Sequence, residues 1–169
     1  DEDPASLRFK LTPVEHHLAH IASAYYCSPF DSLTAGLSYD ASGDFASAMA
    51  ARCEGTKIEI LARVTLPHSL GFFYTALCQF IGFDAFGEEY KVMGLAPYGE
   101  DRYAELMKKL LILPENGWFQ LGPGYFGMPQ VGERGATTAD GRLVMGRLYT
   151  EKLIRELGPP AVRGTVTQR

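Results

Sequence analysis

Three of the four histidines, His16, His17 and His20, fall within five residues in the run HHLAH. On a helix, residues four apart stand one above the other on the same face, so the His16 and His20 imidazoles can reach a single divalent ion. The run lacks the glutamate that follows the first histidine in HExxH metalloproteases, so a base of that kind is missing. The plainer reading is a helix with surface or capping histidines, because a metal site needs further ligands. Asp40 and Asp44 bracket Ser42-Gly43 directly after the apolar run at 33–39. A carboxylate at a strand end is well placed for a ligand. Asp40 can add an oxygen to two imidazole nitrogens, and Gly43 would let the backbone approach a phosphate. An ordinary Asx turn between two strands is the alternative. A third group is EEYKVMGLA at 88–96. A lysine in the first turn of a helix runs against the dipole preference, so Lys91 makes sense beside Glu88, Glu89 or a bound anion. Gly94 inside a helix costs ~1 kcal/mol relative to Ala, which close approach of a ligand or of another helix would explain. A solvated helix start with Gly94 at a packing contact explains the same residues.

The elements that must carry these groups follow from periodicity. Residues 7–14 alternate apolar and polar positions and read as a short strand, with Pro13 at a sheet edge. Residues 16–26 are rich in Ala and apolar side chains and read as a helix ended by Ser28-Pro29. A buried strand is expected at 33–39, then a polar turn at 40–44, then two strands at 45–53 and 57–66 around Glu54-Gly55-Thr56. Helices are expected at 69–80, with Ser69 as N-cap, at 88–95 and at 102–113. From 114 to 143 glycine and proline dominate and only 118–121 is strand-like, so this stretch is expected to be an excursion or small hairpin outside the core. A last helix at 148–157 is stopped by Gly158-Pro159-Pro160, and 161–169 holds no complete element. The result is a mixed α/β chain.

Composition narrows the function classes. A length of 169 residues suits one domain, and 46% hydrophobic against 21% charged residues allows a real core. With 16 basic and 20 acidic residues the net charge is −4, and no dense Lys/Arg run is present. Nucleic acid and anionic membranes are therefore not expected as partners. Three cysteines without a CxxC pattern suit small buried apolar groups in a reducing, cytoplasmic setting. No apolar run approaches the roughly 18 residues of a membrane span. GxSxG, Walker A and GxGxxG patterns are all missing, so serine-triad catalysis has no support. The chain starts without Met, which leads to the expectation of a piece of a longer protein.

Singly these clusters are weak, but their order is specific. HHLAHIASAYYCSPF, YDASGD, LPHSLGFFYTALCQFIGF and EEYKVMGLAPYG together resemble the O-carbamoyltransferases of the nodulation-factor and antibiotic-tailoring type. The likeness runs over 13–99, is sharpest in EYKVMGLAPYG and continues weakly to the end. It implies a partial actin/sugar-kinase (ribonuclease H-like) lobe with a mixed sheet and flanking helices, a fold shared with enzymes that modify tRNA with threonylcarbamoyl. It divides the chain into a partial lobe at 1–113, a Gly/Pro-rich insertion or hairpin at 114–147, and a helix at 148–169 leading to a second lobe.

The implied reaction uses carbamoyl phosphate and ATP to form carbamoyl adenylate, then carbamoylates a hydroxyl of a sugar or natural product. A YrdC-like domain of the same parent chain would make the adenylate. Residue by residue, His16 and His20 match the family's HxxxH metal ligands and Asp40 a further ligand, with iron or zinc as the ion. A fourth ligand, a later aspartate, has no counterpart here. Ser42, Gly43 and Asp44 should face phosphate or carbamoyl. Glu89, Lys91 and Gly94 should lie near the nucleotide, and His17, beside the ligands, is the candidate base. Because the preceding strands, the second lobe and the YrdC-like domain do not fit into this length, the fragment alone is expected to bind metal weakly and to lack complete activity. Three alternatives stand beside this reading: a hydrogenase-maturation carbamoyltransferase, a non-catalytic metal- or nucleotide-binding module, and a free-standing metallohydrolase.

Overall fold

A computed structural model describes residues 10–115, 117–128 and 135–163. Its centre is a three-stranded antiparallel sheet in the order β1 (Thr34–Gly43), β2 (Ala46–Glu54), β3 (Lys57–Thr65). The middle strand, ASAMAARCE, is buried along nearly its whole length. Its small side chains let other elements close on both faces. On one face lies α1 (His16–Tyr26), whose Ile21 and Tyr25 pack with Met49, Ala51 and Cys53. On the other, Ala48 and Val64 meet Phe119, flanked by Leu70, Leu111 and Trp118. Burial of each large apolar side chain of this kind stabilises by ~1.5–3 kcal/mol.

After the sheet come α2 (Leu70–Phe80), α3 (Glu89–Leu95) with a 3₁₀ turn at Ala96–Tyr98, and α4 (Ala104–Leu110). Two small strand pairs follow, β4 (Leu111–Ile112) with β5 (Gln120–Leu121), and β6 (Ala136–Thr137) with β7 (Leu143–Val144). The helix α5 (Glu151–Leu157) closes the order. A further core forms from Phe80, Leu110, Tyr125 and Leu153. No helix among the described residues is long and apolar enough to cross a membrane.

The helix at 16–26, the hairpin around Gly55 and the Ser69 cap, which accepts from the Phe72 amide at 3.1 Å, take the form their local signals predict. Elsewhere the structure corrects the sequence. Of the expected strand at 7–14, residues 10–14 form no strand, and Leu11 and Val14 are exposed; the remainder lies outside the described residues. The polar turn expected at 40–44 is instead the end of β1, which runs to Gly43 with an irregularity after Tyr39. The reversal is made by Asp44-Phe45, both at positive φ (50° and 63°), as the twist of a two-residue hairpin demands. Backbone pairing with β2 carries the strand past the point where its apolar pattern stops.

The helix expected at 102–113 ends at Leu110, and Leu111–Ile112 turns to extended pairing. Pro114 disfavours helix just before it, and β5 offers a pairing edge. The last helix starts at Glu151 rather than 148, because Thr150 Oγ1 accepts from the Lys152 amide (3.2 Å) and caps it there. Expected outside the core, Phe119, Leu121 and Tyr125 are buried. Phe119 packs with Ala48 and Val64 of the sheet, and Tyr125 with Phe80, Leu110 and Leu153.

Candidate metal centre

The centre is built where α1 crosses β1. Successive residues of a strand point to opposite faces, so Gly36, Ser38 and Asp40 share one face, and α1 lies against it. At Gly36 a methyl group would sit 2.7 Å from Ile21 Cγ2 and 3.0 Å from Cys53 Sγ. At Gly43 it would collide with the His16 ring. These two glycines set how closely helix and strand approach. The exposed amides at the start of α1 need acceptors, and Glu15 supplies no cap. Glu15 instead forms a two-pronged pair with Arg63 of β3, both distances 2.8 Å. The acceptor comes from the hairpin turn: Asp44 Oδ2 takes the His16 N–H at 2.8 Å.

With the start of α1 held against β1 in this way, three donor atoms converge. His16 Nε2 stands 2.8 Å from Asp40 Oδ2 and 3.0 Å from His20 Nε2, and His20 Nε2 stands 3.6 Å from Asp40 Oδ2. All three lie within 4.8 Å of one another. Asp40 Oδ1 is occupied separately, accepting the Ala41 N–H at 2.6 Å, which leaves Oδ2 for the cluster. The hydrogen bond from His16 holds the Asp40 carboxyl below its ordinary value against the opposing effect of partial burial. The Ala41 amide and the two nearby imidazoles act in the same direction as His16. All three side chains remain roughly 40–50% exposed (38%, 39% and 54%), so the cluster faces outward. Two imidazole nitrogens and one carboxylate oxygen suit zinc or iron, and the donor set fits such an ion.

The other residues singled out in the sequence are placed differently. His17 is fully buried behind the cluster, with Nδ1 2.9 Å from Ser38 Oγ and Nε2 without a hydrogen-bond partner among the described residues. Ser42 is exposed at the end of β1. Gly43 gives clearance to the His16 ring, and Asp44 caps α1. Glu89 is tied to α2: its Oε1 accepts from Thr75 Oγ1 (3.1 Å) and its carbonyl from the Tyr74 hydroxyl (3.3 Å). Lys91 pairs with Glu88 at 2.7 Å. A methyl group on Gly94 would meet open space, so no helix among the described residues packs there.

The helix α2 joins these two neighbourhoods. Its cap Ser69 donates to the Ala41 carbonyl at 2.6 Å, and Gly71 backs directly onto the Ala41 backbone. One turn later, Tyr74 and Thr75 hold Glu89. Sequence reasoning missed the importance of Glu88 and the contribution of Arg163. Glu88 is buried and accepts two bonds from Arg163 (2.7 Å each) and one from the Ala85 amide (3.2 Å). Arg163 also reaches Asp84 at 2.9 Å. The Arg163 bond, aided by Lys91 and opposed by burial, takes the Glu88 carboxyl down to about 2. Lys91, three residues on, was a local signal for Glu88; Arg163, 75 residues away, left none.

Comparison with known proteins covers the same elements. The family described as carbamoyltransferase N-terminus matches residues 5–128. The chain is 38% identical over 120 residues to the nodulation protein NolNO of Sinorhizobium fredii, covering 70% of this chain and 17% of that protein. It is 37% identical over 128 residues to the nodulation protein NolO of Bradyrhizobium diazoefficiens, covering 72% of this chain and 23% of that protein. An uncharacterized Synechocystis protein, sll1178, is 42% identical over 113 residues, covering 66% of this chain and 18% of that protein. The chain thus spans about a fifth of the length of these relatives.

Proposed function

This chain belongs to the carbamoyltransferase N-terminus family, and from that premise we propose that its parent protein is a cytoplasmic, ATP-dependent O-carbamoyltransferase. The carbamoyl group comes from carbamoyl phosphate, passes through carbamoyl adenylate made by a YrdC-like domain, and ends on a hydroxyl of a sugar or natural product. His16, His20 and Asp40 hold a divalent ion, iron or zinc. Such an ion supplies Lewis-acid polarisation of a carbonyl or phosphoryl oxygen.

The protein's own groups orient and bind. Asp44 holds the His16 backbone amide, Gly43 leaves room for the His16 ring, and the Ala41 N–H holds the Asp40 carboxylate. Ser42, exposed beside them, offers a hydroxyl to the carbamoyl or phosphate group. Glu89, Lys91 and the open surface at Gly94 border the nucleotide. The acceptor hydroxyl needs a base within hydrogen-bond reach, and the enclosed His17 ring offers no such access, so His17 has a different part. The observation that carries this reading is the convergence of two imidazole nitrogens and one carboxylate oxygen on the exposed side of the α1–β1 crossing.

The test is metal content and ATP-dependent carbamoyl transfer in the full-length protein and in a His16→Ala/His20→Ala variant. Loss of both in the variant is the expected result. Retention of metal and activity would refute the site.

A further inference from the structure

The inward stripe of α1 is His17, Ile21 and Tyr25, each four residues after the last, and all three are buried. Ile21 and Tyr25 are ordinary packing residues. His17 is not, because a buried imidazole must give up water at two nitrogens. An apolar side chain would fill that position at less cost. What an imidazole adds is a directional bond, here to Ser38 at 2.9 Å. We propose that His17 is a positioning residue whose bond to Ser38 sets the roll of α1 on β1 and so delivers His16 and His20 to Asp40.

The geometry for this lies in paired rungs. Ser38 and Asp40 are neighbours on one face of β1, and His17 and His16 are neighbours on α1. Consecutive helical residues differ by about 100° in direction, so His17 points into the sheet when His16 points along its edge. Asp44 on the His16 amide and Glu15 on Arg63 hold the start of α1, and with His16 to Asp40 as its single side-chain rung the helix would keep some freedom to roll about its axis. A second rung at a fixed separation removes that freedom, and Ile21 against Gly36 adds a third contact in the same register. The Ser38 hydroxyl both donates and accepts, so the bond forms whichever His17 nitrogen carries the proton. The inference rests on the proposed metal centre, since it concerns how the ligands are aimed.

Cobalt(II) is the probe, titrated into the full-length protein and followed by its visible absorption bands, with circular dichroism as the check on folding. Ser38→Ala should keep the wild-type dichroism, weaken cobalt binding about tenfold, the scale of loss seen when a metal site's supporting hydrogen bonds are removed, and alter the band shape. His17→Phe keeps the stripe filled and should do the same. His17→Asn, which puts an amide near the place of Nδ1, should recover part of the affinity. Wild-type affinity and band shape in both Ser38→Ala and His17→Phe would overturn the positioning role while leaving the metal centre standing. If His17→Phe misfolds, Ser38→Ala alone decides. Failure of the unaltered protein to bind cobalt would overturn both the centre and the inference.

Discussion

Two polar clusters of this chain are built from similar residue types and differ in what their charges do. At the α1–β1 crossing, two imidazoles and a carboxylate point at one exposed place, with the His16 backbone amide held by Asp44 and the second Asp40 oxygen by the Ala41 amide. At the start of α3, Glu88 is buried and already has two cations, Arg163 and Lys91, and a backbone amide. In the first arrangement the donor atoms of His16, His20 and Asp40 meet one another at an exposed place, where an ion could replace their mutual contacts. The second spends its charges on one another and ties residues 84–91 to the chain around Arg163. A cluster of ionisable side chains therefore suits a cation when its lone pairs converge on one exposed place, and a structural role when protein cations already neutralise it.

Substitutions can break this contrast. The largest effect is expected at Gly43→Ala, which drives a methyl group into the His16 ring. Overpacking of this kind costs ~1–3 kcal/mol, and metal affinity should fall more than tenfold, the upper part of the range for disturbed supporting groups. Urea unfolding together with metal titration would check it. Next is Arg163→Ala, which leaves Glu88 buried with one cation. Stability should fall by about 1–2 kcal/mol, below the 3–5 kcal/mol of a fully buried pair, because the Arg163 side chain is 40% exposed. Metal affinity should not move, and a loss there would erase the distinction between the clusters.

Acid sensitivity sharpens the comparison further. Glu88 titrates at about 2 in the folded protein against 4.5 for an unperturbed glutamate. The unfolded chain thus binds the proton first as pH falls. The stabilisation is complete above about 4.5 and drains away between there and about 2. Glu88→Gln should flatten the stability–pH curve in that window, as followed by unfolding midpoints. Asp40 is lowered in the same direction, so Asp40→Asn should flatten the acid limb too. The smallest effect is expected at Gly94→Ala. The added methyl meets open space, so the helix should gain ~0.5–1 kcal/mol. Metal affinity should stay constant, whereas carbamoyl transfer should drop if a nucleotide lies against this surface.

Much of the candidate metal cluster could be read before the fold was known. The i, i+4 spacing of His16 and His20 required only that 16–26 be helical, and an Ala-rich run bounded by Ser28-Pro29 made it so. The place of Asp40 after an apolar strand left an Asx turn equally open, and only the resemblance favoured it as a ligand. The roles of its neighbours could not be read in this way. Gly43 and Asp44 were legible as a turn that could face phosphate; that one clears space for a ring and the other holds the first amide of a helix begun 28 residues earlier was not. His17 looked like a base from its position beside the ligands, and the inward turn of α1 buries it. Tyr125 sat in a Gly/Pro-rich stretch with nothing local to mark it as core, and the short strand-like run at 118–121 did not show that Phe119 packs against the sheet.

By itself the sequence determined which residues share a face, because helix and strand periods act over a few residues. It also carried enough ordered motif to name the family. Tertiary structure alone decided which faces meet, which glycine yields to which ring, and that Glu88 spends its charge on Arg163. Those outcomes depend on docking between segments tens of residues apart, where side-chain volume and hydrogen-bond geometry at the contact choose the partner and no local pattern records it.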